Sequence, residues 1–284
     1  MDINKPYLTV PHPKTPIEIK EISEDEFNNI REQCNSIRSI GYYLRRLSVI
    51  ELNKDAYFSI IAYYTSLLQK NDKSPIDYDY KEEGYIEINR CFINFISSFK
   101  ALVEHCENKI MASFGEKSKQ FISFNKILSS LYDSDINYRL LYNLRNFSIH
   151  KDFPIEYVDY DKIHAEKGEF RYEVGVFFSK EKFQSSQTLS SKMGEFMNKL
   201  KPKTKVYPFV YGLMPLVKEI VKEFIKFIKP EFSESMNMIL KLSEDNKQNE
   251  LSITRPEMVS GSQIDYKSII IPIDIATNLK ELTR

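Results

Sequence analysis

From Ile17 to Phe153 the chain contains one proline, Pro75, and three glycines, Gly41, Gly84 and Gly115. Proline breaks helices by removing a donor and clashing with the preceding turn, and glycine weakens them through backbone entropy. A stretch of this length with so few breakers is expected to fold as long helices. The apolar residues Phe92, Phe95, Ile96, Phe99, Leu102, Val103, Cys106 and Ile110 recur at i, i+3, i+4 and i+7, which puts them on one helical stripe and predicts a helix over roughly 86–113. Phe121, Phe124, Ile127, Leu128 and Leu131 repeat the pattern. Asp133-Ser134-Asp135 then supplies turn and N-cap residues for a further helix reaching His150, and Pro154 stops it.

Ser23 followed by Glu26 has the spacing of a capping box, so the first long helix is expected to start near residue 24. Before it, Pro6, Pro11, Pro13 and Pro16 mark an extended arm in which Ile17, Ile19 and Ile22 alternate with charged residues. Beyond 154 the texture changes. Residues 171–178 alternate like a strand, Ser185, Ser186, Ser190 and Ser191 mark a looser connection, and residues 216–228 form an amphipathic helix. A polar segment over 243–250 and an apolar, β-branched run over 268–275 close the chain. The expected division is an arm over 1–22, a helical bundle over 23–153, and a strand-helix-strand extension over 154–284 that packs on the bundle. The fold class is mainly α: an antiparallel helical bundle with a smaller C-terminal α+β elaboration.

With 42% hydrophobic and 13% aromatic residues in 284, the chain has enough apolar material for a real core. Forty Lys plus Arg balance forty Asp plus Glu, so any contact with nucleic acid has to be local rather than spread over a basic surface. Cys34, Cys91 and Cys106 sit at apolar-looking positions without a secretory leader, and no run reaches the roughly 18 apolar residues of a membrane span. A cytoplasmic protein without membrane contact is expected.

The helix over 138–150 carries a cation, an amide and an imidazole near its end: Arg145, Asn146 and His150. An imidazole with a pKa of about 6.5 can take a proton from a ribose 2′-hydroxyl or return one to a leaving oxygen, and a guanidinium can stabilise charge on phosphate oxygens. No metal or cofactor is needed. Five residues turn an ideal helix through about 500°, leaving Arg145 and His150 roughly 140° apart. Asn146 and His150, at i and i+4, share a face. The amide is therefore expected to orient the imidazole or the phosphate, with a flexible arginine or a second subunit completing the site. The opposing reading is that the cations simply cap a helix C-terminus.

The string Tyr142-Asn-Leu-Arg145-Asn146-Phe-Ser-Ile-His150-Lys-Asp-Phe-Pro-Ile155, after several proline-poor helices, resembles the R-x(4–6)-H motif of the HEPN family. The likeness covers about 24–153. It implies a metal-independent endoribonuclease, usually a homodimer, that cuts RNA with Arg145 and His150, leaves a cyclic phosphate end, and works in bacterial anti-phage defence or as a toxin, checked by an antitoxin or released by a phage-derived trigger. The alternative is a catalytically inactive HEPN-like scaffold that binds a nucleotide, RNA or a partner protein. Length and a large C-terminal half depart from the compact family domain.

Secondary candidates are the cationic stripe Arg38, Arg45 and Arg46 as phosphate contacts, and Tyr142, with Tyr42, Tyr43, Tyr63, Tyr64 and Tyr138, as stacking faces for unpaired bases. Lys199, Lys201, Lys203 and Lys205 read as a basic loop. Lys218, Lys222, Lys226 and Lys229, interspersed with Glu219 and Glu223, read as a solvated face. His105 beside Cys106 reads as core packing, and His12 and His164 as surface residues.

Overall fold

The computed structural model describes residues 1–70, 78–164, 170–185, 191–260 and 263–283. It is mainly helical with antiparallel sheet added. The chain divides into two compact units, Met1–Leu44 with Lys222–Arg284, and Arg45–Val221, a division that follows neither the 22/23 nor the 153/154 boundary. Helix α1 (Glu24–Lys70) contributes its first residues to one unit and the rest to the other. Among the described residues, no helix is long and apolar enough to cross a membrane.

In the first unit the entry arm forms two strands, β1 (Tyr7–Val10) and β2 (Ile17–Glu21). They join β6 (Ser252–Ser260) and β7 (Gln263–Ile270) in a four-stranded sheet of order β2-β1-β6-β7, with Leu8 opposite Ile253. The inner face carries a ladder of buried hydroxyls: Thr9 Oγ1 lies 2.7 Å from Ser252 Oγ and 2.9 Å from Thr254 Oγ1. Helix α1 starts where expected, with the Glu26 N–H donating to Ser23 Oγ at 3.1 Å. Helix α8 (Ser233–Asn246) runs into the polar segment after 243 and ends at Lys247 in the left-handed region, φ 53°. The apolar run 268–275 is not one strand either. Strand β7 stops at Ile270, and α9 (Ile273–Leu282) starts after Pro272, whose ring cannot donate to a ladder.

The second unit packs α2 (Tyr78–Phe114), α3 (Lys119–Ser134) and α4 (Ile136–His150) against one another. Helix α2 starts eight residues before the expected residue 86, because Glu82, Glu83 and their neighbours continue the helix without a hydrophobic signature. The stripe from Phe92 to Ile110 is buried throughout. Ser118 caps α3 by accepting the Phe121 N–H at 3.1 Å, and Asp135 Oδ1 caps α4 by accepting the N–H groups of Asn137 and Tyr138 at 2.8 and 3.0 Å. Beyond α4 the chain passes Pro154 and is gripped at Ile155: the fully buried Asn89 accepts the Ile155 N–H at 3.0 Å and donates to its carbonyl at 3.2 Å. A three-stranded antiparallel sheet follows, order β3-β4-β5, made of β3 (Tyr157–His164), β4 (Phe170–Ser179) and β5 (Lys203–Lys205). Helices α5 (Lys180–Ser185) and α6 (Ser191–Lys199) lie between β4 and β5, and residues 186–190 of the expected serine-rich connection lie outside the described residues. Helix α7 (Tyr207–Ile228) starts nine residues before its amphipathic run, with Pro208 at its second position, where a missing N–H breaks no intrahelical bond.

Candidate catalytic groups on helix α4

Helix α4 contains two arginines with different roles. Arg139 is buried, and its guanidinium donates to carbonyls at the end of α3, from Nε to Tyr132 O at 2.8 Å and from Nη2 to Asp133 O. It closes a helix C-terminus, where exposed carbonyls favour a cation. Arg145 does no such work. Its Nη1 donates to Asn146 Oδ1 at 3.3 Å, and its Nε–H is shut from solvent with no hydrogen-bond partner. A buried donor left unpaired costs about 1–3 kcal/mol. Among the described residues no carboxylate forms an ion pair with Arg145.

Among the described residues no hydrogen bond joins Asn146 to His150; the amide oxygen instead accepts from the neighbouring guanidinium. Asn146 therefore orients Arg145. His150 is the last residue of α4, exposed, and among the described residues its imidazole has no hydrogen-bond partner. Since α4 runs unbroken from Ile136 to His150, Arg145 and His150 stay about 140° apart around its axis. Between them around the helix lie Tyr142 and Asn146, both half-buried, and Ile149, which is 50% exposed; Phe153 beyond the helix is 39% exposed. One copy of the chain thus displays a cation and an imidazole at opposite edges of an apolar and amide strip.

The end of α4 is held from behind. Lys182 on α5 pairs with Asp152 at 2.9 Å and with Glu156, and its hydrogen bond holds the Asp152 carboxyl below the usual carboxylate range. Phe147 packs on Phe183, ring centroids 5.7 Å apart.

Tyr142 lines a cleft of about 400 Å³ between α2, α3 and α4, together with Tyr132, Tyr138 and Lys100. The Lys100 ammonium sits 4.6 Å from the centre of the Tyr142 ring. Glu107 faces the same cleft, and burial raises its carboxyl above the ordinary range against the opposing pull of Lys100. Lys100 and Glu107 carried no motif; only their placement on the α2 face flanking the apolar stripe, at i and i+7, pointed to them.

The remaining candidates scatter. Arg38 belongs to the first unit, where its Nη2 donates to the Ile270 carbonyl of β7. Arg45 and Arg46 belong to the second, one exposed and one half-buried. Tyr43, Tyr64 and Tyr138 are buried, Tyr63 is exposed and Tyr42 is half-buried. The basic loop is partly strand β5, in which Lys203 pairs with Asp159 and Lys205 with Glu173. Lys218 pairs with Glu51 at 3.3 Å, and Lys226 with Glu223. His12 Nδ1 accepts the N–H groups of Lys14 and Thr15, organising a turn. His164 is the last residue of strand β3. Cys34, Cys91 and Cys106 are buried free thiols, and burial pushes Cys34 up to about 11.

Compared with family models, with curated proteins and with solved structures, the chain matches none.

Proposed function

We propose that the chain is a metal-independent endoribonuclease of the HEPN type, acting as a homodimer, in which His150 is the general acid or base and Arg145 the electrostatic stabiliser. The observation that supports it is the state of Arg145: a half-buried guanidinium oriented by Asn146 that has no carboxylate ion pair among the described residues. Such a group suits a phosphate oxygen. The accessible, unpartnered imidazole five residues on suits proton transfer. In the reaction the ribose 2′-oxygen attacks phosphorus, losing its proton to an imidazole. The bond from phosphorus to the 5′-oxygen breaks, and that oxygen takes up a proton, leaving a 2′,3′-cyclic phosphate and a 5′-hydroxyl. Because Arg145 and His150 diverge around one helix, the pair that acts on a phosphate comes from two α4 helices apposed across the Tyr142, Asn146 and Ile149 strip.

The test is incubation of the full chain with total RNA and a chelator, followed by mapping of the ends. Wild type is expected to leave cyclic phosphates, and His150→Ala to lower the rate about 10²- to 10⁴-fold while keeping its circular dichroism spectrum. Equal cleavage by the two proteins rejects the reading. Mixing Arg145→Ala with His150→Ala is expected to restore about a quarter of wild-type activity, since half the dimers are mixed and each has one intact site of two.

A further inference from the structure

Away from α4, the four-stranded sheet of the first unit ends in two unlike edges, β2 and β7. An edge strand offers a row of backbone groups to any other strand, and proteins blunt it with short length, proline, bulges or charge. Edge β2 carries all of these: it is five residues long, follows Pro16, skips Ile19 in its pairing with β1, and includes Glu18, Lys20 and Glu21. Edge β7 is eight residues long without proline, and every residue from Gln263 to Ile270 has its partner on β6.

The outer side of β7 is open along most of its length. The Ile271 N–H donates to Leu251 O at 2.8 Å, so odd-numbered residues turn their N–H and C=O groups to β6 and even-numbered ones turn them outward. Arg38, which donates to the outward Ile270 carbonyl, closes one end. The Tyr266 N–H is held at 2.8 Å by Asp265 Oδ1 of its own strand. Among the described residues no strand pairs with the outward groups of Ile264, Tyr266 and Ser268.

Charge selects the strand that fits. Within the sheet Lys267 lies opposite Arg255, and Asp265 opposite Glu257, two like-signed pairs. Arg255 pairs with Glu24 and Lys267 reaches diagonally to Glu257, but among the described residues Asp265 forms no ion pair. Like charges directly opposite destabilise a sheet, and opposite charges stabilise it. We propose that β7 pairs antiparallel with β7 of a second copy about a two-fold axis at Tyr266, joining two four-stranded sheets into one. Each row across the junction then reads Arg255, Lys267, Asp265, Glu257, with positive residues of one copy against negative residues of the other. An axis moved by one residue sets Asp265 against Asp265 or Lys267 against Lys267, so charge fixes the register. In that register Tyr266 faces Tyr266 and Ile264 faces Ser268, and each facing pair exchanges two ladder bonds, Asp265 releasing the Tyr266 N–H to do so. Ile264 and Ile270, 39% and 60% exposed, share the Tyr266 face and meet their copies diagonally across the axis. The surface is separate from the α4 strip, which belongs to the second unit.

The full chain is followed by sedimentation equilibrium over a micromolar concentration series, beside Asp265→Lys, Lys267→Asp and an equimolar mixture of the two variants. Wild type is expected to self-associate, and each variant to do so at least about tenfold more weakly, because both facing charge pairs turn repulsive together. Each substitution also replaces a like-signed pair with β6 by an opposite one, so the single chain keeps its fold. In the mixture every facing pair is again of opposite sign, and the wild-type association constant is expected to return. A wild type that associates no more strongly than the variants, or a mixture that associates no more strongly than the variants apart, overturns the proposal and leaves the edge to a strand of another protein. Pairing through α4 is common to all four samples, so the comparison is independent of the reading of Arg145 and His150.

Discussion

Replacing Asn89 by leucine removes three hydrogen bonds from the junction that leads α4 into β3. The amide donates to Ile155 O at 3.2 Å and to Tyr85 O at 3.1 Å and accepts the Ile155 N–H at 3.0 Å, all with the side chain wholly buried. Leucine has the same branching and number of side-chain heavy atoms, so no cavity forms and the main loss is polar. The Ile155 N–H and C=O are both left buried without a partner, at about 1–3 kcal/mol each, or about 2–6 kcal/mol together. Against a total stability of about 5–15 kcal/mol that is a large fraction. At about 2–4 °C per kcal/mol for a unit of this size, the melting temperature falls by roughly 5–20 °C. Thermal unfolding of the full chain followed by circular dichroism reads the change, with the exposed Asn108→Leu as a control expected to stay within about 0.5 kcal/mol of wild type. A shift of Asn89→Leu under about 2 °C would refute the reasoning, since it would mean that Ile155 is satisfied without the amide.

Two further perturbations probe the same unit. In Gly84→Ala the new Cβ would lie 2.5 Å from Tyr160 Oη and 3.2 Å from the Tyr64 ring; about 1 kcal/mol of helix propensity is gained but overpacking costs about 1–3, so a net loss near 1 kcal/mol is expected in urea unfolding, and a stabilised variant contradicts it. Glu107 has its carboxyl raised by burial, so the folded state binds the proton more readily than the unfolded chain and loses stability as pH rises from about 4.3 through the folded value. Glu107→Gln is therefore expected to melt higher than wild type at pH 7 and level with it at about pH 3.5; a gain independent of pH would remove the electrostatic cause.

Local chemistry made much of the helical layout legible. Ser23, Asp135 and the stripe from Phe92 to Ile110 act within a turn or two of themselves, and each is where its pattern placed it. Element ends were less legible: α2 extends beyond its apolar run through polar first turns that leave no periodic signal, and α7 through a start containing Pro208, Gly212 and Pro215, residues that ordinarily break a helix. At the candidate site, the spacing of Arg145, Asn146 and His150 on one helix was readable, but the partner of the amide was not. Rotamers decided that Asn146 meets Arg145 instead of His150.

The sequence by itself determined the long helices, their caps and the chemistry displayed along α4, because propensity, capping and periodicity depend on neighbours within a few residues. Tertiary structure alone decided which groups are satisfied. Leu8 meets Ile253 across 245 positions of chain, and Arg139 closes α3 while Arg145 meets its neighbour Asn146. Those outcomes depend on contacts between segments far apart in sequence, where a strand edge ends or a guanidinium finds a carbonyl, and no local pattern encodes them.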